Sequence, residues 1–135
     1  MFEGVCYCVS SMQPTIALNT GHQIPLLGFG TWQLTGDTVY QAVKTAITTG
    51  YCHIDTADRY GNHKEVGQAI IDSSVARKDI FLTTKIWRES LQPDDALQAL
   101  PRFLAELQTD YLDLLLIHWP NLQVDMNQTF TIMQE

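Results

Sequence analysis

Four polar residues stand at or just beyond the ends of apolar runs, and their types fit one chemistry. Asp55 lies in the run 52–57 with Tyr60 just beyond it, Lys85 follows the run 80–84, and His118 follows 111–117. A lysine ending a buried strand must find an anion or lose its charge, and Asp55 is the nearest candidate by layout. A lysine beside a tyrosine hydroxyl favours the phenolate and draws its pKa down from about 10 toward working pH, which makes Tyr60 a usable acid. A histidine beside it can hydrogen-bond a substrate oxygen and share the proton, while Trp32, Trp87 and Trp119 can wall an apolar substrate pocket. Such a site protonates a carbonyl oxygen. Protonation alone reduces nothing, so the chemistry calls for a hydride donor, which proteins take from a nicotinamide or flavin cofactor. Taken singly, each residue has an ordinary structural reading: a loop cap, a surface aromatic, a solvated lysine, a core histidine. Their joint placement carries the argument.

The fold must bring these residues together. From Leu27 onward short apolar strands alternate with stretches of helical period, the form of βα units around a parallel sheet. Strands are expected over 27–32, 52–57, 79–86 and 111–119. A helix capped near Asp37 puts Val39, Ala42, Val43, Ala46 and Ile47 on one face, and a second over 64–73 turns Val66, Ala69 and Ile70 inward. The third opens at Pro93, with Asp94 and Asp95 in its first turn and Leu97, Leu100, Leu104 and Leu107 as its stripe. Pro101 predicts a kink or break there, since an interior proline costs about 3 kcal/mol. The run Leu114 to Ile117 predicts burial on both faces, and a fourth helix begins near 130–135. The segments 15–18 and 23–26 alternate around Asn19, Thr20 and Gly21, which predicts a hairpin acting as a lid or plug across the bottom. In a (β/α) barrel the chemistry sits at the C-terminal strand ends. Thr31, Asp55, Lys85 and His118 follow one another at intervals of 24, 30 and 33 residues, near the roughly 31 of an eight-unit barrel.

The 135 residues carry 8 Lys plus Arg against 15 Asp plus Glu, a net charge of -7. That balance repels nucleic-acid phosphates and anionic membranes, and leaves a small molecule as the expected partner. Arg59, Lys64, Arg77, Lys78, Lys85 and Arg88 nevertheless fall in one stretch, which allows a local basic pocket. No run has the length of a membrane span, and residues 1–11 hold Glu3 without Lys or Arg, unlike a secretory leader; the chain reads as cytoplasmic. Residues 1–11 match neither strand nor helix period and read as a disordered extension, or as a start placed ahead of Met12. Cys6, Cys8 and Cys52 read as reduced thiols, with no metal site. A hydrolase reading, with His53, Asp55 and His118 as metal ligands, is opposed by Lys85, whose charge competes with a cation.

The stretch from Leu18 to Trp32, LNTGHQIPLLGFGTW, is similar to the opening hairpin and first strand of the aldo-keto reductases. GYCHIDTA at 50–57, continuing through Tyr60 and Asn62 to Val66 and Gly67, resembles that family's first signature. TKIW at 84–87 and DYLDLLLIHWP at 110–120 resemble its third and fourth strands. Over about Thr15 to Asn121 the chain thus resembles the N-terminal half of an aldo-keto reductase, including the bacterial 2,5-diketo-gluconate reductase-like members. The resemblance implies an α/β fold of the (β/α)8 barrel family, here the hairpin and about four βα units, with residues 12–135 as the N-terminal part of the reductase domain. It also implies that NADPH reduces an aldehyde or ketone, with Tyr60 as proton donor, Lys85 and Asp55 tuning it and His118 orienting the carbonyl. Gly30, Thr31, Trp32 and Asp55 are the implied cofactor contacts. Trp32, Arg59, Trp87, His118 and Trp119 are the expected substrate contacts. Three positions depart from the family: Cys52 replaces an arginine, His63 replaces a glutamate, and Arg59 stands where the chain normally faces substrate. Arg59 either selects an anionic or polyhydroxylated carbonyl compound or is an exposed cation. A half barrel has open edges, so the alternative to an enzyme is an inactive, self-associating half or a fragment of the whole.

Overall fold

The computed structural model describes residues 13–134; the extension at 1–11, Met12 and the last residue lie outside them. A turn at Asn19–Thr20, with Gly21 at φ 86°, joins β1 (Thr15–Ala17) to β2 (Gln23–Pro25) in antiparallel register, Ile16 opposite Ile24. Next come β3 (Phe29–Gly30), α1 (Gly36–Thr48), β4 (His53–Asp55), α2 (His63–Ile71), β5 (Phe81–Ile86), α3 (Pro93–Leu107), β6 (Leu114–Ile117) and α4 (Met126–Gln134). The strands β3-β4-β5-β6 form one parallel sheet in chain order. The hairpin lies across the N-terminal strand ends, where Thr15, Gln23 and Pro25 share a cavity of about 360 Å³ with Cys52, Phe81 and Asp113.

One face of the sheet is sealed by helices. Ile54, Leu82 and Ile86 pack there against Val39, Val43 and Ile47 of α1, Val66 and Ile70 of α2, and Phe103 and Leu107 of α3. At α2 the two helices come so close that a Cβ on Gly67 would stand 2.4 Å from the Leu107 carbonyl oxygen. Glycine is required there by backbone approach. The parallel register puts Asp55, Thr83, Lys85 and Leu116 on the other, concave face.

Several expectations need correction. The first strand is two residues long rather than 27–32, and Leu27 is exposed. Pro101 does not break α3, which runs as one helix through it. The proline is exposed, and the carbonyl it fails to bond belongs to exposed Leu97, where water can serve as donor. The buried stripe of α3 is Ala96, Ala99, Phe103 and Leu107, whereas Leu97 and Leu100 face outward. Leu107 of the expected stripe is buried and Leu104 is half-buried. β6 is only half-buried, with Leu116 38% exposed, because it is the edge of the sheet. Cys52 is disulfide-bonded rather than a reduced thiol; Cys6 and Cys8 lie outside the described residues.

Candidate active site

The C-terminal strand ends bring the four residues into one chain of contacts. Asp55 ends β4 and Lys85 lies one residue from the end of β5, on the same face. The Lys85 ammonium donates to Asp55 Oδ1 at 2.5 Å and to the Thr56 carbonyl at 3.0 Å, so its charge is neutralised and held. It also lies 5.6 Å from the centre of the Tyr60 ring. Tyr60 ends a 3₁₀ turn, Asp58–Tyr60, and meets the edge of His118 at 5.5 Å between ring centres. His118 follows β6, its N–H donating to the Ile86 carbonyl at 3.0 Å, and its ring stands 5.3 Å from that of Trp87.

Tyr60, His118 and Trp87 open onto a cavity of about 570 Å³. Trp32, Trp119, Gln33 and Arg59 complete its lining, so all the expected substrate contacts share this space. Asp55 and Lys85 are not part of the lining. Of the cofactor candidates, Gly30 pairs with Asp55 and has open space where a Cβ would stand. Thr31 is fully buried, its hydroxyl 3.3 Å from the Asp55 carbonyl; it supports the wall, while Trp32 is 67% exposed.

The titration of the site differs from the expectation that Lys85 draws Tyr60 down. Burial, followed by the negative charge of Asp55, raises the Tyr60 pKa above the ordinary phenol value. With its pKa raised, the resting tyrosine is a neutral phenol that still holds the proton it would donate. Burial, then Lys85, lowers the His118 pKa, with Asp55 opposing, and its imidazole is neutral at pH 7. Its Nδ1 is buried without a hydrogen-bond partner among the described residues.

Two supports of the site have less visible signals in the sequence. Fully buried Asn62 donates to the carbonyls of Thr31 (3.1 Å) and Leu34 (2.9 Å) and accepts from the Thr56 hydroxyl (2.8 Å). It thereby joins the loop bearing Trp32 and Gln33, the latter at φ 64°, to the residue whose carbonyl holds Lys85. The second support is His63, at the position where the resemblance implies a glutamate. Its Nδ1 donates to Glu106 at 2.9 Å and its Nε2 accepts from the Thr84 hydroxyl at 2.8 Å, a pairing that requires the Nδ1–H tautomer. Arg102 then bridges Glu106, at 3.6 Å, to Asp58 at 2.9 Å, tying the turn that carries Tyr60 to α3. Among the described residues no three His, Cys, Asp or Glu side chains group closely enough to hold a metal ion. His53 instead meets the Thr83 hydroxyl at 3.0 Å.

A parallel sheet that raises aspartate, tyrosine, lysine and histidine to one rim agrees with the comparisons to known proteins. The chain belongs to the aldo/keto reductase family, whose family model matches residues 26–135. It is 49% identical over 111 residues to a D/L-glyceraldehyde reductase of Hypocrea jecorina, covering 78% of this chain and 34% of that protein. It is 51% identical over 105 residues to the glycerol 2-dehydrogenase (NADP(+)) of Saccharomyces cerevisiae, covering 78% and 33%. Among solved structures, an aldo/keto reductase from Brucella melitensis superposes with a TM-score of 0.85 at 46% identity, covering 90% of this chain and 47% of that one. A putative 2,5-diketo-D-gluconic acid reductase B gives 0.85 at 41% identity, covering 90% and 43%. The fold is therefore the hairpin and first βα units of the reductase barrel. The chain spans about a third of these curated relatives and under half of these solved structures.

Proposed function

We propose that this chain carries the proton-donating half of an NADP(H)-dependent reductase of aldehydes or ketones. The observation that carries the reading is the unbroken contact of Asp55, Lys85, Tyr60 and His118 at the rim of the 570 Å³ cavity. When bound, a reduced nicotinamide supplies the hydride for the carbonyl carbon. Tyr60 gives its proton to the carbonyl oxygen. The Lys85 ammonium stabilises the negative charge left on the phenol oxygen, and Asp55 holds Lys85 in place. Neutral His118 donates a hydrogen bond to the same carbonyl oxygen and orients it. The open space over Gly30, beside Asp55 and Trp32, suits a flat ring laid against the strand ends. NADPH as donor is supported by the name of the yeast relative, and a cytoplasmic setting goes with the same reading. Among the described residues no helix is long and apolar enough to cross a membrane.

The test is to join the chain to the C-terminal half of the Brucella reductase and follow NADPH oxidation with glyceraldehyde. Turnover by the joined protein is the expected result; a correctly folded but inactive protein refutes the proposal. A second reading, in which the chain alone pairs with another copy, is favoured by the open edges at β3 and β6 and by exposed Leu116. In that case light scattering on the purified chain finds a dimer or larger species with little or no reductase activity. A stable monomer excludes it.

A further inference from the structure

We infer that Arg59 makes the cavity selective for carbonyl compounds that carry an anionic group, a carboxylate above all, a few carbons from the carbonyl. The inference deepens the carbonyl-reductase reading and rests on it. The three tryptophans, Tyr60 and neutral His118 make the cavity wall aromatic and nearly uncharged, and Arg59 is its one permanent charge. The guanidinium is exposed and lies 5.5 Å over the Trp87 ring, which fixes its direction without using its N–H groups. No carboxylate among the described residues comes within ion-pair distance of it. The two nearest in sequence are already engaged, Asp55 by Lys85 and Asp58 by Arg102. Arg59 therefore reaches the cavity with its donors unspent, and a guanidinium matches a carboxylate with two parallel hydrogen bonds.

Trp87 meets both Arg59, over its ring, and His118, at 5.3 Å between ring centres, so the guanidinium and the residue that orients the carbonyl share one aromatic wall. An ω-oxo acid carries an oxygen for each of them, each taking hydrogen bonds of about 3 Å. A neutral aldehyde of equal length reaches Tyr60 and His118 and leaves Arg59 to water.

The chain's three tryptophans all line this cavity, so their fluorescence reports its occupancy directly. The experiment titrates the chain with 5-oxopentanoate and, separately, with pentanal, and compares the two dissociation constants. The expected result is tighter binding of the acid by about fivefold or more, the yield of one well-placed exposed ion pair. The preference shrinks at high KCl. In Arg59→Ala the ratio of constants falls to near one, and in Arg59→Lys it is partly kept. A ratio near one in the unaltered chain, or a preference that survives Arg59→Ala, overturns the role of Arg59 and leaves the cavity as a carbonyl site. Failure of both aldehydes to perturb the tryptophans overturns the carbonyl reading of the cavity as well.

Discussion

Replacing Asn62 by alanine should destabilise the fold far more than the loss of one small polar side chain on a surface would. The amide serves three partners. The Thr31 carbonyl keeps a second donor, the Leu34 N–H at 3.2 Å, but the Leu34 carbonyl and the fully buried Thr56 hydroxyl lose a partner. A buried polar group left unsatisfied costs about 1–3 kcal/mol. The half-buried carbonyl of Leu34 sits at the low end of that range and Thr56 higher, so the expected loss is about 3 kcal/mol. That is a large share of the roughly 5–15 kcal/mol that holds a domain together, and corresponds to a fall in Tm of about 10 °C. Asn62→Asp separates hydrogen bonding from size. It keeps an acceptor for Thr56 but aims a carboxylate at the carbonyls of Thr31 and Leu34, so near neutral pH it should be worse than alanine. Urea denaturation of the three proteins provides the assay. A loss below about 1 kcal/mol in Asn62→Ala, or an aspartate variant more stable than the alanine one, refutes the assignment of Asn62 as the clamp.

Gly67→Ala places a Cβ 2.4 Å from the Leu107 carbonyl oxygen, so α2 and α3 must separate; a loss of about 2 kcal/mol or more is expected by urea denaturation, and an unchanged midpoint would mean that the helices have room. The pH dependence follows from His53, His63 and His118, whose pKa values are all lowered, chiefly by burial. Each binds a proton less readily folded than unfolded. Between the folded values and the ordinary value of about 6.5 the unfolded chain therefore holds more protons, and stability falls as pH drops through that window. The urea midpoint should be lower at about pH 5.5 than at about pH 7.5; a flat or rising midpoint on acidification contradicts the buried neutral histidines.

What could be read from the sequence, and what could not, divides along physical lines. β4 and β5 are legible because their outward residues, Ile54, Leu82 and Ile86, lie in an apolar core that needs no partner of special shape. The meeting of Lys85 with Asp55 was legible for a similar reason, since a strand-end ammonium needs an anion. The packing face of α3 was not, because Leu97 and Leu100 suit a helical stripe as well as Ala96, Ala99 and Phe103 do, and only tertiary packing chooses between the two faces. The direction of the Tyr60 shift is not legible because it depends first on how deeply the phenol is buried and then on its nearness to Asp55, both set by the tertiary fold. The role of Asn62 is illegible because it depends on the carbonyls of Thr31 and Leu34, about thirty residues away. The role of His63 is not legible because its partners Glu106 and Thr84 come from two other elements, which no local pattern announces.

The central claim is that Tyr60 gives up the proton in carbonyl reduction. Its most direct test is the turnover of glyceraldehyde with NADPH by the chain joined to a reductase C-terminal half, compared with the same protein carrying Tyr60→Phe. A positioned general acid contributes about 10²- to 10⁴-fold, so kcat should fall by that factor while the aldehyde still quenches the cavity tryptophans. Equal turnover by the two proteins would contradict the account.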